Sequence, residues 1–537
     1  MLFKAFRRIA AAGSVAIFVL LCAFFLLALG AALTPLASGA QSASPFSLVS
    51  VMRPAWYTIK IAAVSTGIAV AFGLAAAFFT ANRTFPGRRF LLALSAVPLS
   101  VPTLLIALGF VSVFGMHGSA NRLFAAAARA AGADVQNAPL SFLYSFWGIV
   151  IVQGFYNFPL VMRLCSDVWQ RLRPDEADAA RLLGASEWKV FRTVTLYQLA
   201  PAIASSTMLV FLYCFFSFII VLLFGSAGGT TLEVAVYRSV RSSLDLKQGA
   251  AFALCETLLA FLFVSLYSRF ELSGRRSSGI TGKSETAPLR SLKADKEAVF
   301  FAAVFIPVVL FFLWPFFSVL GGAFKYKNAF SFGTFGTLFS RPSFWLSLRN
   351  TLIASSATAA VSVAGACAAS FFIHSIDPFK TKIGFRLVPI LPMAVSSVVL
   401  GFGIIVLVRQ GSPLLLIGEQ SALLWPLAFR YISSALDRIP LSMLSAARLL
   451  SADPLDCVFR IQLPLMRRAL ISAFGFCFAA ASAEASLPLM LSVPHFETLA
   501  LFTYRLAGAY RFNEACAAGC ILGLLSIGFF ILGDRLK

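Results

Sequence analysis

An ionisable or amide side chain inside an apolar run is costly unless it faces a cavity or a partner, so the residues able to do chemistry here are those that interrupt hydrophobic stretches. Glu484 is the sharpest, set in Ala479–Ser486, a run of small residues able to line a path or to let helices pack closely. A carboxylate there suits a cationic solute, and the structural alternative is an interhelical hydrogen bond. Gln153 and Asn157 stand one helical turn apart and can face a path or a neighbouring helix together, while Glu256 reads as structural. Cys516 and Cys520, at i and i+4, could hold a soft metal, but no His or further Cys is near in sequence, and the nine cysteines lie mostly in apolar runs where Cys packs as a small hydrophobe. Gly282-Lys283-Ser284 has the ending of a phosphate-binding loop, yet position 277 is Ser where the pattern needs Gly, and no apolar strand precedes it. His117, His374 and His495 are scattered, mainly in loops. The chain therefore offers no nucleophile, no acid–base pair and no metal-ligand set, and reads as no enzyme.

The elements that position these residues are membrane spans. With 59% hydrophobic residues, 56 Phe and 12% charged residues, the chain has too little polar surface to cover a soluble globule of 537 residues. Runs of about 20 apolar residues, the length a bilayer demands of a helix, predict twelve spans in an all-α membrane protein. They fall at 13–33, 58–81, 90–115, 142–165, 199–224 and 250–269, then at 299–320, 349–373, 384–408, 415–432, 469–492 and 513–533, with 415–432 interrupted by Glu419 and Pro426. The net charge of +22 comes from short basic loops rather than one broad patch, which argues against nucleic acid. Most of the basic residues, including Lys4, Arg7, Arg8, Arg83, Arg88, Arg89, Lys380, Lys382 and Arg386, fall on one side of this topology, and the positive-inside rule makes both termini cytoplasmic. A cleavage point at Ser38-Gly39-Ala40 is the lesser reading, because the preceding apolar run is longer than a signal peptide needs.

The spans come in two copies. Asp178-Ala179-Ala180-Arg181-Leu182-Leu183-Gly184 recurs 267 residues later as Ser445-Ala446-Ala447-Arg448-Leu449-Leu450-Ser451, and the same offset pairs Pro159 with Pro426, Thr231-Leu232 with Thr498-Leu499 and Tyr237-Arg238 with Tyr504-Arg505. Toward the N-terminus the offset grows to 293, which sets Thr58 against Thr351 and locates an insertion at 116–140, with a short helix expected near Ala125–Ala131. Six spans is an even number, so the repeats are parallel, related by an axis along the membrane normal. The organisation is a first repeat at 1–270, a solvated linker at 271–297 and a second repeat at 298–537.

The loops 166–198 and 433–468 match best. Each starts a helix with Pro, Pro174 or Pro440, runs through Ala-Ala-Arg-Leu-Leu, breaks at Gly184 or Ser451, and returns through a second amphipathic stretch to Leu196 or Leu463. These loops resemble the EAA loops of ABC importer permeases, whose pattern is Glu-Ala-Ala, three residues, Gly, nine residues, then Ile-x-Leu-Pro. The first keeps Ala179, Ala180, Gly184 and Leu196, with Asp178 for Glu; the second keeps Ala446, Ala447, Ile461, Leu463 and Pro464, with Ser445 for Glu and Ser451 for Gly. Fused permeases of the iron(III) and thiamine group share the segment seen here as Thr230-Thr231-Leu232-Glu233-Val234-Ala235-Val236-Tyr237, and both Gly148–Pro159 and His495–Leu499 are more similar to the thiamine members.

That resemblance implies a subunit of a bacterial inner-membrane importer, with both loops acting as coupling helices. Asp178, Ala179, Ala180, Gly184, Ser445, Ala446, Ala447 and Ser451 would dock two copies of an ATP-binding subunit. ATP and Mg would sit on that partner, with no cofactor on this chain, and a solute-binding protein would deliver thiamine or iron(III). Glu484, its repeat partner Ser217, Asn157 and Gln153 would line the path. An ion-coupled secondary transporter built from two parallel six-span repeats is the alternative, and it predicts intramembrane proton relays for which only Glu484 and Glu256 are candidates.

Overall fold

A computed structural model of the chain describes residues 2–37, 47–94, 101–131, 141–172, 175–225, 229–277, 287–288, 296–327, 329–376, 388–449 and 453–535. They are almost wholly helical, because a helix satisfies every backbone polar group within its own segment. The first half holds α1 (Leu2–Ala37), α2 (Leu48–Asn82), α3 (Thr103–Phe114), α4 (Ser119–Ala130), α5 (Phe146–Trp169), α6 (Asp175–Leu182), α7 (Leu196–Phe215), α8 (Phe218–Phe224), α9 (Leu232–Arg241) and α10 (Leu246–Ser277). The second holds α11 (Lys296–Val308), α12 (Trp314–Ala323), α13 (Pro342–Ile376), α14 (Ser397–Val408), α15 (Pro413–Leu436), α16 (Leu441–Leu449), α17 (Arg467–Ala483), α18 (Ser486–Leu491), α19 (Leu499–Gly508) and α20 (Phe512–Arg535). Several elements recur with the sequence offset, α5 with α15 and α9 with α19 residue for residue.

Among the described residues nine helices are long and apolar enough to cross a bilayer, fewer than the sequence predicts. The expected span 384–408 is described only from residue 388, leaving the short apolar helix α14. The expected span 415–432 is a full 24-residue helix, α15, whose apolar character is diluted by Glu419, Gln420 and Arg430. The expected span 469–492 is broken at Glu484, where α17 ends; at its start, ahead of that span, α17 meets Cys457–Leu465 at 68°. The insertion carries α4, held by Asn121 Nδ2 donating to the Gly115 carbonyl at 2.9 Å. At the linker, α10 runs on to Ser277 and Ala287-Pro288 pairs in parallel with Arg83-Thr84, while Glu297 takes a hydrogen bond from Arg83 Nε at 2.6 Å. The remaining linker, with Gly282-Lys283-Ser284, and the segments holding Ser38-Gly39-Ala40, Pro174, Lys380, Lys382, Arg386 and Ser451 lie outside the described residues.

Two polar contacts hold each half together and recur at equivalent positions. The Leu232 N–H, which opens α9 and has no partner within its helix, donates to Thr58 Oγ1 on α2 at 2.9 Å; the Leu499 N–H at the start of α19 donates to Thr351 Oγ1 on α13 at 2.7 Å. Ser65 Oγ donates to Gln153 Oε1 at 3.0 Å, and Thr358 Oγ1 donates to Gln420 Oε1 at 3.1 Å.

The halves are joined by a reciprocal crossing that hydropathy alone does not reveal. Helix α1 packs on α13, α14 and α15 of the second half, while α11 and α12 pack on α2 and α3 of the first. Phe18 meets Trp425 edge-on with ring centroids 5.2 Å apart, and Phe312 meets Phe158 at 5.4 Å. Glycine permits both close approaches: a Cβ at Gly403 would lie 1.8 Å from the Ala28 carbonyl oxygen, and one at Gly109 would lie 2.4 Å from that of Pro315. Gly403→Ala is therefore expected to cost about 1–3 kcal/mol through backbone displacement, read as a lowered Tm of the solubilised protein. Gly30→Ala, where nothing lies within 4 Å, is expected to stay within about 1 kcal/mol of wild type.

Candidate functional site

The chain breaks its helices where polar chemistry is placed. Helix α7 stops at Phe215 and α8 begins at Phe218, with Ser217 extended between them; α17 stops at Ala483 and α18 begins at Ser486, with Glu484 extended at the join. The equivalent residues of the two copies thus occupy equivalent breaks. Glu484 Oε1 accepts from the Ser486 N–H at 2.8 Å and the Leu487 N–H at 3.4 Å, so the carboxylate satisfies the first turn of α18. Irregular backbone at membrane depth persists only where protein buries it or a cavity receives it, and both conditions hold here.

A cavity of about 340 Å³ brings Gln153, Asn157, Ser217 and Glu484 together, the four residues that the sequence nominates for a path. It adds Tyr156, Tyr213, Glu233 and Ser396, which sequence reasoning did not assign. Glu233 could have been found: it is the one acid in the ten residues of α9, whose other early positions are apolar and buried. Gln153, Asn157 and Glu233 are 0%, 2% and 2% exposed. Gln153 Oε1 is engaged by Ser65, and Asn157 Nδ2 donates to the Gln153 carbonyl at 3.0 Å. Gln153 Nε2, Asn157 Oδ1 and Glu233 Oε2 have no hydrogen-bond partner among the described residues. Buried polar atoms are ordinarily paired, so three orphans on residues that border one cavity depart from the usual pattern.

Glu256 and Glu419 are equally buried and their oxygens have no hydrogen-bond partner among the described residues, but neither lines this chamber. Glu256 lies beside Ser396, which itself borders the chamber. Cys516 and Cys520 are buried against α12, Cys516 Sγ close to Gly322 and Cys520 Sγ 4.0 Å from the Val319 carbonyl, a packing role.

A second, larger cavity of about 940 Å³ adjoins the chamber, and Tyr213, Met393 and Leu427 line both. It reaches Pro440 and Met443 at the base of α16 and is lined by Arg430, Arg438 and Arg468. The two spaces form an acidic chamber and a basic vestibule separated by three side chains.

At that end stand the matched loops. Asp178, Ala179 and Ala180 lie on α6, and Ser445, Ala446 and Ala447 on α16; Ala179 and Ala446 are exposed and Ala180 and Ala447 half-buried, the same presentation in both copies. Leu182, Leu183 and Leu449 are 90%, 89% and 87% exposed. Gly184 ends α6 with φ +81°, a conformation that glycine adopts freely and other residues do not. Arg181 donates to Asp178 Oδ1 at 2.7 Å and to Glu187 Oε1 at 2.8 Å, and these two carboxylates, Glu187 foremost, hold its guanidinium above its ordinary range. The second loop has Ser445 and Pro454 at the matching positions, so it lacks both acids. Each loop then returns through a π-helical turn, Phe191–Thr195 or Cys457–Gln462.

Residues 69–273 match the family described as binding-protein-dependent transport system inner membrane component. That part of the chain is similar to that family. Most of the whole chain is matched by thiamine transport system permease proteins: the one from Brucella abortus (strain 2308) is 26% identical over 498 residues, 90% of this chain and 87% of that protein. The Escherichia coli (strain K12) protein is 22% identical over 499 residues, 90% and 89% respectively. The sulfate transport system permease protein CysT of Escherichia coli is 28% identical over 223 residues, 41% of this chain and 75% of that relative. The apolar helices and these likenesses together indicate a multi-pass inner-membrane protein. Leu427→Trp, whose larger side chain narrows the space shared by the two cavities, is expected to lower uptake at least tenfold at unchanged protein level, measured in membrane vesicles.

Proposed function

We propose that this chain is the membrane subunit of an ATP-driven thiamine importer, in which a solute-binding protein delivers thiamine and two ATP-binding subunits drive its passage. The observation that carries the reading is the likeness, spanning 90% of the chain, to permeases whose names specify thiamine transport. The chamber agrees with it: Glu233 from one half and Glu484 from the other suit the positive charge of the thiazolium ring. Iron(III) is the less favoured cargo, because the full-length likenesses from Brucella abortus and Escherichia coli are named for thiamine.

In this reading the chain is two parallel six-span repeats, 1–270 and 298–537, joined by the linker 271–297, with twelve spans and both termini cytoplasmic. Support comes from the recurring hydrogen bonds of Thr58 with Leu232 and Thr351 with Leu499, from the shared breaks at Ser217 and Glu484, and from the basic residues gathered on one side. Hydrolysis of ATP belongs to the partner subunits. Asp178, Ala179, Ala180 and Gly184 dock one of them, and Ser445, Ala446, Ala447 and Ser451 the other. Exposed leucines beside small alanines on a short helix outside the apolar spans form a contact for another protein rather than for lipid. The two contacts differ in charge, since only the first loop carries an ion-paired Asp178.

A ligand held equally well by both access states shifts nothing, so solute affinity must change as the path switches. The breaks at Ser217 and Glu484 place backbone and carboxylate where such a change can act on the solute. The ion-coupled alternative would need a relay of acids toward both faces; in this structure the vestibule beyond the chamber is lined by arginines.

Ala179→Asp combined with Ala446→Asp is expected to abolish co-purification of the ATPase and ATP-dependent uptake of labelled thiamine, while the permease still reaches the membrane. Uptake that continues without the ATPase would contradict the importer reading, and uptake of iron(III) in place of thiamine would contradict the cargo.

A further inference from the structure

Helix α18 has six residues and so few internal hydrogen bonds that its place depends on what grips its ends. At its start the Ser486 and Leu487 N–H groups donate to Glu484. At its end the Ser492 N–H donates to the Pro488 carbonyl and Ser492 Oγ to that of Leu489, each at 3.0 Å. The Met490 carbonyl is taken by the opposite half: Arg241, which closes α9, donates to it from Nε at 2.8 Å and from Nη2 as well. A guanidinium on the C-terminal carbonyls of a helix is charge-assisted and favoured by the helix dipole. We propose that Arg241 is a positioning residue of transport: its hold on α18 keeps the outer end of the path closed while the vestibule stands open, and it lets go when solute enters. The inference rests on the importer reading for which face is outer and for the role of ATP, and on no choice of cargo.

Helix α9 runs from Glu233, which borders the chamber, to Arg241, eight residues or about 12 Å further on. Helix α18 runs from Ser486, which borders the same chamber, to Met490 and Leu491. The two helices therefore start at the chamber and are joined again beyond it. Residues Arg241 to Leu244 are exposed, and α10 then extends 32 residues, longer than a bilayer is thick, to the linker, so the contact lies at the face opposite the linker. Helix α15 starts beside the end of α18, where a Cβ at Gly411 would lie 2.7 Å from the Leu491 carbonyl oxygen. Its 24 residues carry the chain about 36 Å to the vestibule at Pro440 and Met443, so the contact and the vestibule stand at opposite ends. The copies differ here. The repeat position of Arg241 is Gly508, which has no side chain to offer, and the nearby Arg505 pairs with Glu497 of its own half at 3.0 Å. Release of one guanidinium therefore frees the end of α18 while Glu484 still holds its beginning.

The test uses the full permease–ATPase complex in lipid nanodiscs, with nitroxide labels carried on p-acetylphenylalanine at Ser243 and Tyr510, exposed positions that are equivalent in the two repeats. Pulsed electron paramagnetic resonance reads the outer separation of the halves, and ATP hydrolysis is followed in the same preparation with and without the binding protein. Without ATP the labelled wild type is expected to show mainly the short distance. Arg241→Gln, which loses a charge-assisted hydrogen bond, is expected to raise the ratio of long to short distance about tenfold and to raise ATP hydrolysis in the absence of the binding protein. Arg241→Lys keeps the cation without the forked donors and should fall between the two; it carries the test if Arg241→Gln fails to assemble. A merely structural role would lower Tm and hydrolysis together at an unchanged distance. That result, or a Lys variant as open as the Gln variant, overturns the latch. A longer distance in the variants, with ATP hydrolysis that responds to the binding protein in neither wild type nor variant, overturns the importer reading and leaves the latch standing.

Discussion

The approach of the Ala28 carbonyl to Gly403, mirrored by that of Pro315 to Gly109, is the contact on which the rest of the molecule depends. In a bilayer no hydrophobic effect drives one helix onto another, so association rests on close packing, and close packing is greatest where no side chain intervenes. Each half lends its first helix to the other at such a point, α1 to α13, α14 and α15, and α12 to α3. The crossing makes the two halves one structure although a long linker joins them in sequence. A chamber between them can then be shared without the halves drifting apart.

That arrangement accounts for the placement of polar residues. Within each half, threonine and glutamine side chains tie the second, fourth and last-but-one membrane elements together through Thr58 and Ser65, or Thr351 and Thr358. Around the cavity one polar atom each of Gln153, Asn157 and Glu233 has no partner among the described residues, and the breaks at Ser217 and Glu484 border the same space. Satisfied groups hold each bundle, and unsatisfied ones sit on residues that border the cavity. Arg241 adds a direct link, donating to the Met490 carbonyl across the halves at 2.8 Å through Nε. The larger cavity reaches the base of α16 through Pro440 and Met443.

Much of this was legible from residue order. Apolar runs gave the helices, the recurrence of the Ala-Ala-Arg-Leu-Leu segment gave the matched loops, and the cost of a polar group in hydrocarbon picked out Gln153, Asn157, Ser217 and Glu484, which one cavity unites. Three features were not legible, each for a physical reason. The crossing of α1 depends on which helix meets Gly403, and a glycine in an apolar run does not name its partner. The breaks at residues 217 and 484 lie inside continuous apolar stretches, so hydropathy reads each as one span. Glu233 follows a turn rather than interrupting a long run, and its burial arises from the opposite half closing over it.

The most direct test of the reciprocal crossing places a photoactivatable benzoylphenylalanine at position 18, facing Trp425, in a chain carrying an inserted protease site within 278–286. After irradiation in native membranes and cleavage, the account predicts that the N-terminal and C-terminal fragments remain covalently joined under denaturing conditions. Complete separation of the fragments, with the label attached only to lipid or to the first half, would contradict it.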